Sequence, residues 1–167
     1  PQPARYVPVV VAADRLAERE GISREEMDAV TLASQDKAAS AEGTGLVASR
    51  IAINGLSRDE CARPTTAKAL AALSPAFGAL AKSYSEALGG VEIDPRHTLA
   101  HAPPVADGAG LALITASPSG ATRGRIVAYA ESGGDPAASL TAGFSAMDLA
   151  LSRASLTLAD MDRIEFM

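Results

Sequence analysis

Hydrophobic and polar positions alternate at helical spacing in the first part of the chain and fall into apolar blocks in the last third. Residues 5–11 are apolar and β-branched, but Pro8 interrupts them, which favours an edge strand or an extended lead-in. A short helix is predicted for residues 12–20, with Gly21 closing it.

A second helix is predicted to begin after Ser23, since Ser23 and Glu26 have the spacing of a capping box, and to end near Glu42. Its apolar positions share one broad face and are Met27, Val30 and Ala38. Both helices are rich in charge and have only a modest apolar stripe, so we expect them to cover a larger body.

Two further short helices are predicted, over residues 66–73 and 79–88. Residues 89–107 contain Gly, Pro, Asp and His and predict irregular backbone. Loops carried on a scaffold are where function is most often found, so this segment is a candidate binding region.

The last third predicts strand, strand, helix, strand. Residues 109–116 and 125–130 are apolar blocks typical of buried strands, and residues 164–166 predict a third strand. The helix between them is predicted from apolar positions spaced four, three and four apart: Leu140, Phe144, Met147 and Leu151. This order predicts a layered α/β unit.

Composition narrows the functional classes. The 167 residues are 47% hydrophobic with a formal net charge of −5, which fits a globular chain and argues against nucleic-acid binding. No apolar run reaches the roughly 20 residues of a membrane helix, and the default localisation is cytoplasmic. Pro1 opens the chain without Met, so we expect both ends to be cut.

Cys61 is the single cysteine, which excludes an internal disulfide and a Cys-based zinc cluster. A nucleophilic role requires a nearby base or a helix N-terminus, whereas Asp59 and Glu60 would raise the pKa of a neighbouring thiol. A structural or exposed thiol is the favoured interpretation.

Two other patterns carry weak signals. His97 and His101 are four apart with Asp94 and Asp107 nearby, but the surrounding prolines disfavour the helix that a shared metal would need. Ordinary loop or partly buried histidines are therefore favoured over a metal site. Residues 43–48 match a dinucleotide-binding pattern but follow a helix rather than a strand, so that interpretation is rejected.

Several motifs in order resemble the middle of a thiolase, an enzyme that makes or cleaves 3-ketoacyl-CoA. The matching segments are residues 23–28 (SREEMD) with 33–38 (ASQDKA), 59–66 (DECARPTT) with 73–77 (LSPAF), 98–109, including the direct match Asp107-Gly108-Ala109, and 135–150 with 160–165. The resemblance runs from about Ala12 to the end of the chain.

The resemblance implies a thiolase-like α/β fold in two parts. Residues 1–107 would be a helical loop domain that faces coenzyme A. Residues 108–167 would be part of a layered α/β/α core, at the beginning of the C-terminal half.

The same resemblance implies four CoA-binding residues. Arg63 would lie near the adenine and phosphate end of CoA, where a planar guanidinium pairs with phosphate and stacks on a base. Phe77 would lie beside the pantetheine, and Ala102 and Pro103 would fall in the segment next to the pantetheine arm. The alternatives are a solvated loop charge for Arg63 and a core ring for Phe77.

The chain also departs from the family pattern. Residues 100–104 (AHAPP) stand where the family has AGNAS, so a serine hydroxyl contact is lost. Val10 replaces a glycine and adds bulk to backbone that should approach the ligand. The segment between Phe77 and Thr98 is also longer, and we expect a reshaped channel or weaker CoA binding.

None of the catalytic motifs of thiolases is present in this sequence, and Cys61 aligns with none of their cysteines. No catalytic residue, metal or permanently bound cofactor is therefore assigned, and CoA is a substrate moiety. We expect this chain to be part of a thiolase-type acyltransferase acting on acyl-CoA or 3-ketoacyl-CoA, and to be inactive by itself. Its expected partners are the remainder of a thiolase chain or a thiolase-like subunit, in an oligomer. The alternatives are a non-catalytic thiolase-like subunit that binds acyl-CoA or scaffolds a partner, and an unrelated α/β domain.

Overall fold

Helices joined by irregular loops make up the structure, a computed structural model that describes residues 6–135, 137 and 140–166. The α-helices of these residues are α1 (Val9–Arg19), α2 (Arg24–Ala41), α3 (Ala67–Ala71), α4 (Gly78–Ser83) and α5 (Ala142–Ala154). The chain divides into two compact units, Pro1–Val105 and Ala106–Met167. Within the described part, no helix combines the length and the apolar character that crossing a membrane requires.

Helix α1 begins earlier than the sequence predicts, because Pro8 starts it rather than interrupting a strand. The Pro8 carbonyl accepts hydrogen bonds from the N–H groups of Val11 and Ala12, at 2.9 and 3.1 Å. Proline is well suited to a helix start, since the N–H it lacks would have no helical partner there. The strand alternative is therefore wrong for residues 6–11, whereas residues 6–8 lead into the helix without regular secondary structure, as the other alternative predicts. Residue 5 lies outside the described residues.

The core of the first unit is small and packs α1 against α4 and the turns that follow it. Its buried members are Val7, Val11, Ala12, Ala81 and Leu88, and Val10, Tyr84, Ala87 and Ile93 pack against them. The predicted helix over 79–88 is shorter than expected: α4 ends at Ser83. Turns continue to Gly89 and Gly90, whose positive φ angles suit glycine.

Helix α2 begins at the predicted capping box, in which Ser23 and Glu26 exchange hydrogen bonds. The predicted apolar face is wrong at Val30, whose side chain is exposed, whereas the helix buries the carboxylate of Asp28. This helix is therefore held by polar contacts more than by an apolar stripe.

Arg24 joins three parts of the first unit through its guanidinium group. It donates to Asp28 Oδ1 at 2.9 Å and, at the end of α3, to the carbonyls of Leu70 and Leu73 at 2.8 and 3.1 Å. A longer contact of 3.5 Å reaches the carbonyl of Arg96. The Leu70 carbonyl also accepts the Leu73 N–H at 3.0 Å. The Leu73 carbonyl lies just beyond the helix end, where carbonyls lack helical partners, and Arg24 supplies it with a donor.

Asp14 anchors the loop around residues 94–97 onto α1. Its side chain is completely buried, and Oδ1 accepts the N–H groups of Arg96 and His97, each at 2.9 Å, and lies 2.6 Å from His97 Nδ1. Burial by itself would raise the pKa of Asp14, but these hydrogen bonds and the nearby imidazole outweigh burial and lower it. The carboxylate is therefore held in its charged form.

The second unit contains α5, which confirms the helix predicted from its apolar spacing. The predicted strands over 109–116, 125–130 and 164–166 are not formed among the described residues, so the layered α/β core is not confirmed. A strand exists only when its backbone groups pair with a neighbouring strand, and the described residues offer these segments no such partner. Leu111 and Leu113, predicted to be buried, are almost fully exposed.

Replacing Arg24 should destabilise the first unit. We expect Arg24→Ala to lower the free energy of unfolding by about 2–4 kcal/mol, because it removes the cationic partner of Asp28 and a donor to the Leu70 and Leu73 carbonyls. The matched control is Arg19→Ala, which removes an exposed pair with Glu20 and should cost less than about 0.5 kcal/mol. Urea unfolding measures both; equal losses would show that Arg24 is not a structural link.

Asp14 should make stability fall in acid. A carboxylate whose pKa is lower in the folded than in the unfolded state stabilises the fold above the unfolded pKa, about 3.9. That stabilisation is lost as pH falls through the folded pKa. We therefore expect Asp14→Asn to be less stable at pH 7 and to show a shallower loss of stability below about pH 5. Urea titrations at several pH values test this, and an unchanged slope contradicts it.

Candidate functional site

The segment from His97 to His101 is fixed by two histidine–carboxylate pairs on neighbouring helices. His97 Nδ1 pairs with Asp14 of α1, and His101 Nε2 lies 2.7 Å from Asp28 Oδ1 of α2. The two rings meet edge to face, with their centroids 5.7 Å apart. The pairs set the position of the loop relative to both helices.

The hydrogen bonds around His101 define how its ring is used. The Thr98 N–H donates to Nδ1 at 2.9 Å, which leaves Nε2 to donate to Asp28. Burial would raise the pKa of Asp28, but hydrogen bonds from Arg24 and His101, together with the charge of Arg24, lower it. Both ring nitrogens of His101 therefore serve structural bonds.

The structure places other carboxylates beside the two histidines than the sequence suggested. The carboxylates beside them are Asp14 and Asp28 rather than the predicted Asp94 and Asp107. Asp94 instead pairs with Arg96 at 3.1 Å. In the part of the chain that the structure describes, no group of three or more potential ligands is arranged to hold a metal ion.

Three of the four predicted CoA-binding residues flank this anchored segment. The Ala76 N–H donates to the His97 carbonyl at 2.9 Å, which ties the start of α4 to the segment and leaves the neighbouring ring of Phe77 half-buried. Ala102 and Pro103 follow His101 directly; Ala102 is half-buried and Pro103 is exposed. One backbone hydrogen bond thus links the neighbour of Phe77 to the segment that Ala102 and Pro103 follow.

Arg63 lines a different feature, an open depression of about 970 Å³ between α2 and the loop that follows it. The lining residues are Gln35, Asp36, Ala38, Ala39, Glu42, Gly55, Leu56, Ser57, Arg58, Asp59, Glu60, Ala62, Arg63, Pro64 and Thr65. Phe77, Ala102 and Pro103 are not among the described residues of this lining. The structure therefore does not bring all four predicted residues into one cavity.

Gln35 connects α2 to the loop at Arg63, a contact that sequence reasoning missed. Its Oε1 accepts the Arg63 N–H at 2.9 Å, and its Nε2 donates to the Cys61 carbonyl at 3.4 Å. Gln35 lies in the ASQDKA motif, and that motif is the one sequence feature that draws attention to this residue. A contact across 28 positions leaves no spacing pattern by which to assign the role.

The charge around the depression is mixed. Two guanidinium groups, of Arg58 and Arg63, line it together with four carboxylates, of Asp36, Glu42, Asp59 and Glu60. Glu42 is paired with Arg50, at 2.9 and 3.0 Å from its two oxygens. The remaining acids leave the wall unfavourable to an anion except beside the arginines.

Cys61 is half-buried in the same loop, and its contacts are made by its backbone. Its N–H donates to Asp59 Oδ1 at 2.8 Å, and its carbonyl faces Gln35. Among the described residues no base is bonded to its sulfur, so the geometry offers no means of activating the thiol.

Val10, which stands in place of a family glycine, is half-buried and packs against the apolar core around α1. Its side chain therefore contributes to the core of the first unit.

Comparison with known proteins connects these features to a family. The family model "Thiolase, N-terminal domain" matches residues 5–117. An acetyl-CoA acetyltransferase of Pseudomonas aeruginosa is 33% identical over 171 residues, which cover 93% of this chain and 40% of that protein. The human mitochondrial 3-ketoacyl-CoA thiolase is 33% identical over 175 residues, covering 95% and 40%.

A shorter match is stronger in identity. The peroxisomal 3-ketoacyl-CoA thiolase B of Rattus norvegicus is 40% identical over 86 residues, which cover 42% of this chain and 20% of that protein. The chain spans about two fifths of the length of the first two relatives. The resemblance found in the motifs is confirmed by a family match over more than half of the residues, and the chain belongs to the thiolase family.

Proposed function

We propose that this chain is part of a thiolase-type acyltransferase acting on acyl-CoA and 3-ketoacyl-CoA. Membership of the thiolase family supports this, as do the relatives named acetyl-CoA acetyltransferase and 3-ketoacyl-CoA thiolase. The reaction is acyl transfer through a cysteine thioester, which splits one difficult step into two easier ones. Its catalytic residues belong outside this chain, and Cys61 has no part in it.

The contribution of this chain is a CoA-binding surface, and the observation that carries the proposal is the placement of Arg63. Its side chain is exposed at a depression whose volume lies within the range of small-molecule sites, and none of the described residues pairs with its guanidinium. A free, planar fork of donors is suited to a phosphate oxygen or a base face.

The anchored segment supplies the second part of the proposed surface. Phe77, Ala102 and Pro103 face the pantetheine arm in this proposal, with apolar contacts in place of the serine hydroxyl that the family pattern has. The two histidine–carboxylate pairs keep these residues from moving independently of α1 and α2. Such preorganisation reduces the entropy lost when a ligand binds.

A second candidate is a non-catalytic thiolase-like subunit that binds acyl-CoA weakly or scaffolds a partner. The acidic residues of the depression favour it, since Asp36, Asp59 and Glu60 oppose the negative charge of CoA phosphates. The proline at 104 favours it as well, because it stands where the family pattern has the serine and so removes a polar contact to the pantetheine arm.

For either candidate we propose a cytoplasmic oligomer, assembled with the remainder of a thiolase chain or with a thiolase-like partner. The relatives carry bacterial, mitochondrial and peroxisomal names, so their names select no compartment. Neither CoA nor any other group is proposed as a permanently bound cofactor.

Arg63→Ala should weaken CoA binding. Losing a charge-assisted contact to phosphate or a stacked base should raise the dissociation constant of CoA about 10-fold, a change of about 1.4 kcal/mol. Isothermal titration of the protein with CoA measures it. Micromolar binding that weakens in this variant supports the site.

The control for this experiment is Arg19→Ala, which removes an exposed arginine of α1 that does not line the depression. It should leave the affinity for CoA unchanged. Absence of binding in the unaltered protein would favour the scaffolding role, and equal losses in both variants would contradict a specific site at Arg63.

Glu60→Gln should strengthen CoA binding. Removing one carboxylate from the lining reduces repulsion of the CoA phosphates, and we expect affinity to rise about 2–5-fold at low salt and less at high salt. Pantetheine, which carries no phosphate, is the matched ligand and should bind equally to both proteins. A CoA affinity that does not respond at low salt would place the phosphates away from Glu60.

A further inference from the structure

Gln35 holds the loop that carries Arg63 by both ends of its side-chain amide. The stronger contact, at 2.9 Å, joins Oε1 to the Arg63 N–H, and a weaker one at 3.4 Å joins Nε2 to the Cys61 carbonyl. The two loop residues are two positions apart, so one planar amide grips a stretch of backbone rather than a single atom.

The loop has little else to fix it at this point. Residues 51–60 are all exposed, and between 51 and 65 the regular structure is one isolated bridge between Ile53 and Leu56. An exposed segment without helix or strand moves readily, because few contacts oppose its motion. Among the described residues, the hydrogen bonds of Gln35 join residues 61–63 directly to α2.

Arg63 is held on its other side as well. The Thr65 hydroxyl donates to the Arg63 carbonyl at 3.0 Å. Its backbone is thus bonded through both its donor and its acceptor, while the guanidinium is left exposed and unpaired among the described residues. This arrangement fixes the base of the side chain and leaves its tip free for a ligand.

The chemical type of residue 35 also matters, since the lining already holds four carboxylates. A glutamate here would still accept from the Arg63 N–H, but it would repel the Cys61 carbonyl and compete with a ligand for the guanidinium. A neutral amide can bond to both the Arg63 N–H and the Cys61 carbonyl, and it neither repels the carbonyl nor competes for the guanidinium.

We propose that Gln35 is the positioning residue of the phosphate-binding arginine: it presents Arg63 to the adenosine-phosphate end of CoA. The inference rests on the proposed function, because it takes CoA as the ligand of Arg63. It adds that recognition of the phosphate end depends on a helix side chain that need not touch the ligand.

The experiment compares Gln35→Met, Arg63→Ala and the double variant, titrated with CoA and with pantetheine. Methionine keeps the length of the side chain and loses both hydrogen bonds. We expect Gln35→Met to weaken CoA binding about 3–10-fold and to leave pantetheine binding unchanged. Added to Arg63→Ala, it should have less than a 2-fold further effect, since residues acting through one contact are not additive.

Ser34→Ala, a neighbouring exposed change on α2, is the matched control and should bind CoA like the unaltered protein. Thermal unfolding monitored by circular dichroism confirms that each variant is folded, and Gln35→Glu provides a second variant. Glu should weaken CoA binding at low salt at least as much as Met, because it adds a negative charge to the lining.

The outcomes separate the two proposals. If Arg63→Ala leaves CoA affinity unchanged, the proposed CoA site at Arg63 is wrong. If Arg63→Ala weakens CoA binding and Gln35→Met does not, the CoA site stands and the positioning role is wrong. Equal losses for CoA and pantetheine, or additive losses in the double variant, also overturn the positioning role, because Gln35 would then act on the fold as a whole.

Discussion

Two buried carboxylates, of Asp14 and Asp28, organise the first unit. Each accepts hydrogen bonds from a histidine more than 70 positions away, and Asp28 also binds Arg24. The apolar core beside them contains mostly small side chains, Val and Ala, so dispersion and the hydrophobic effect alone give few constraints on the loops. The polar contacts supply those constraints, and the position of the segment around residue 100 depends on them.

Burying these carboxylates costs free energy, which nearby hydrogen bonds offset. A buried carboxylate is expensive unless it is bonded, and Asp14 gathers all its donors at one oxygen while its second oxygen has no hydrogen-bond partner among the described residues. The backbone N–H groups of residues 96 and 97 are donors that no side-chain substitution other than proline removes. The anchor therefore depends on the path of the backbone as much as on the imidazole.

The parts of the fold that sequence could predict are the local ones. The capping box at Ser23 fixes the start of α2 within four residues, and the spacing of Phe144, Met147 and Leu151 defines α5 within a single element. The partners of His97 and of Arg63 lie 83 and 28 positions away, and no periodicity encodes such contacts. The motifs indicated the family and suggested Arg63 as a candidate, but they could not pair Gln35 with Arg63, because that contact exists only once α2 packs beside the loop.

The predicted strands are not formed among the described residues, because apolar character alone does not provide a neighbouring strand to pair with. The described residues of the second unit accordingly leave Leu111 and Leu113 in solvent, and α5 has no buried residue. Elements that bury so little surface open by local unfolding at small cost in free energy, independently of the rest of a protein. Amide hydrogens of α5 should therefore exchange with solvent long before those that α1 and the anchored segment protect, so that one polypeptide combines a slowly exchanging half with a rapidly exchanging one.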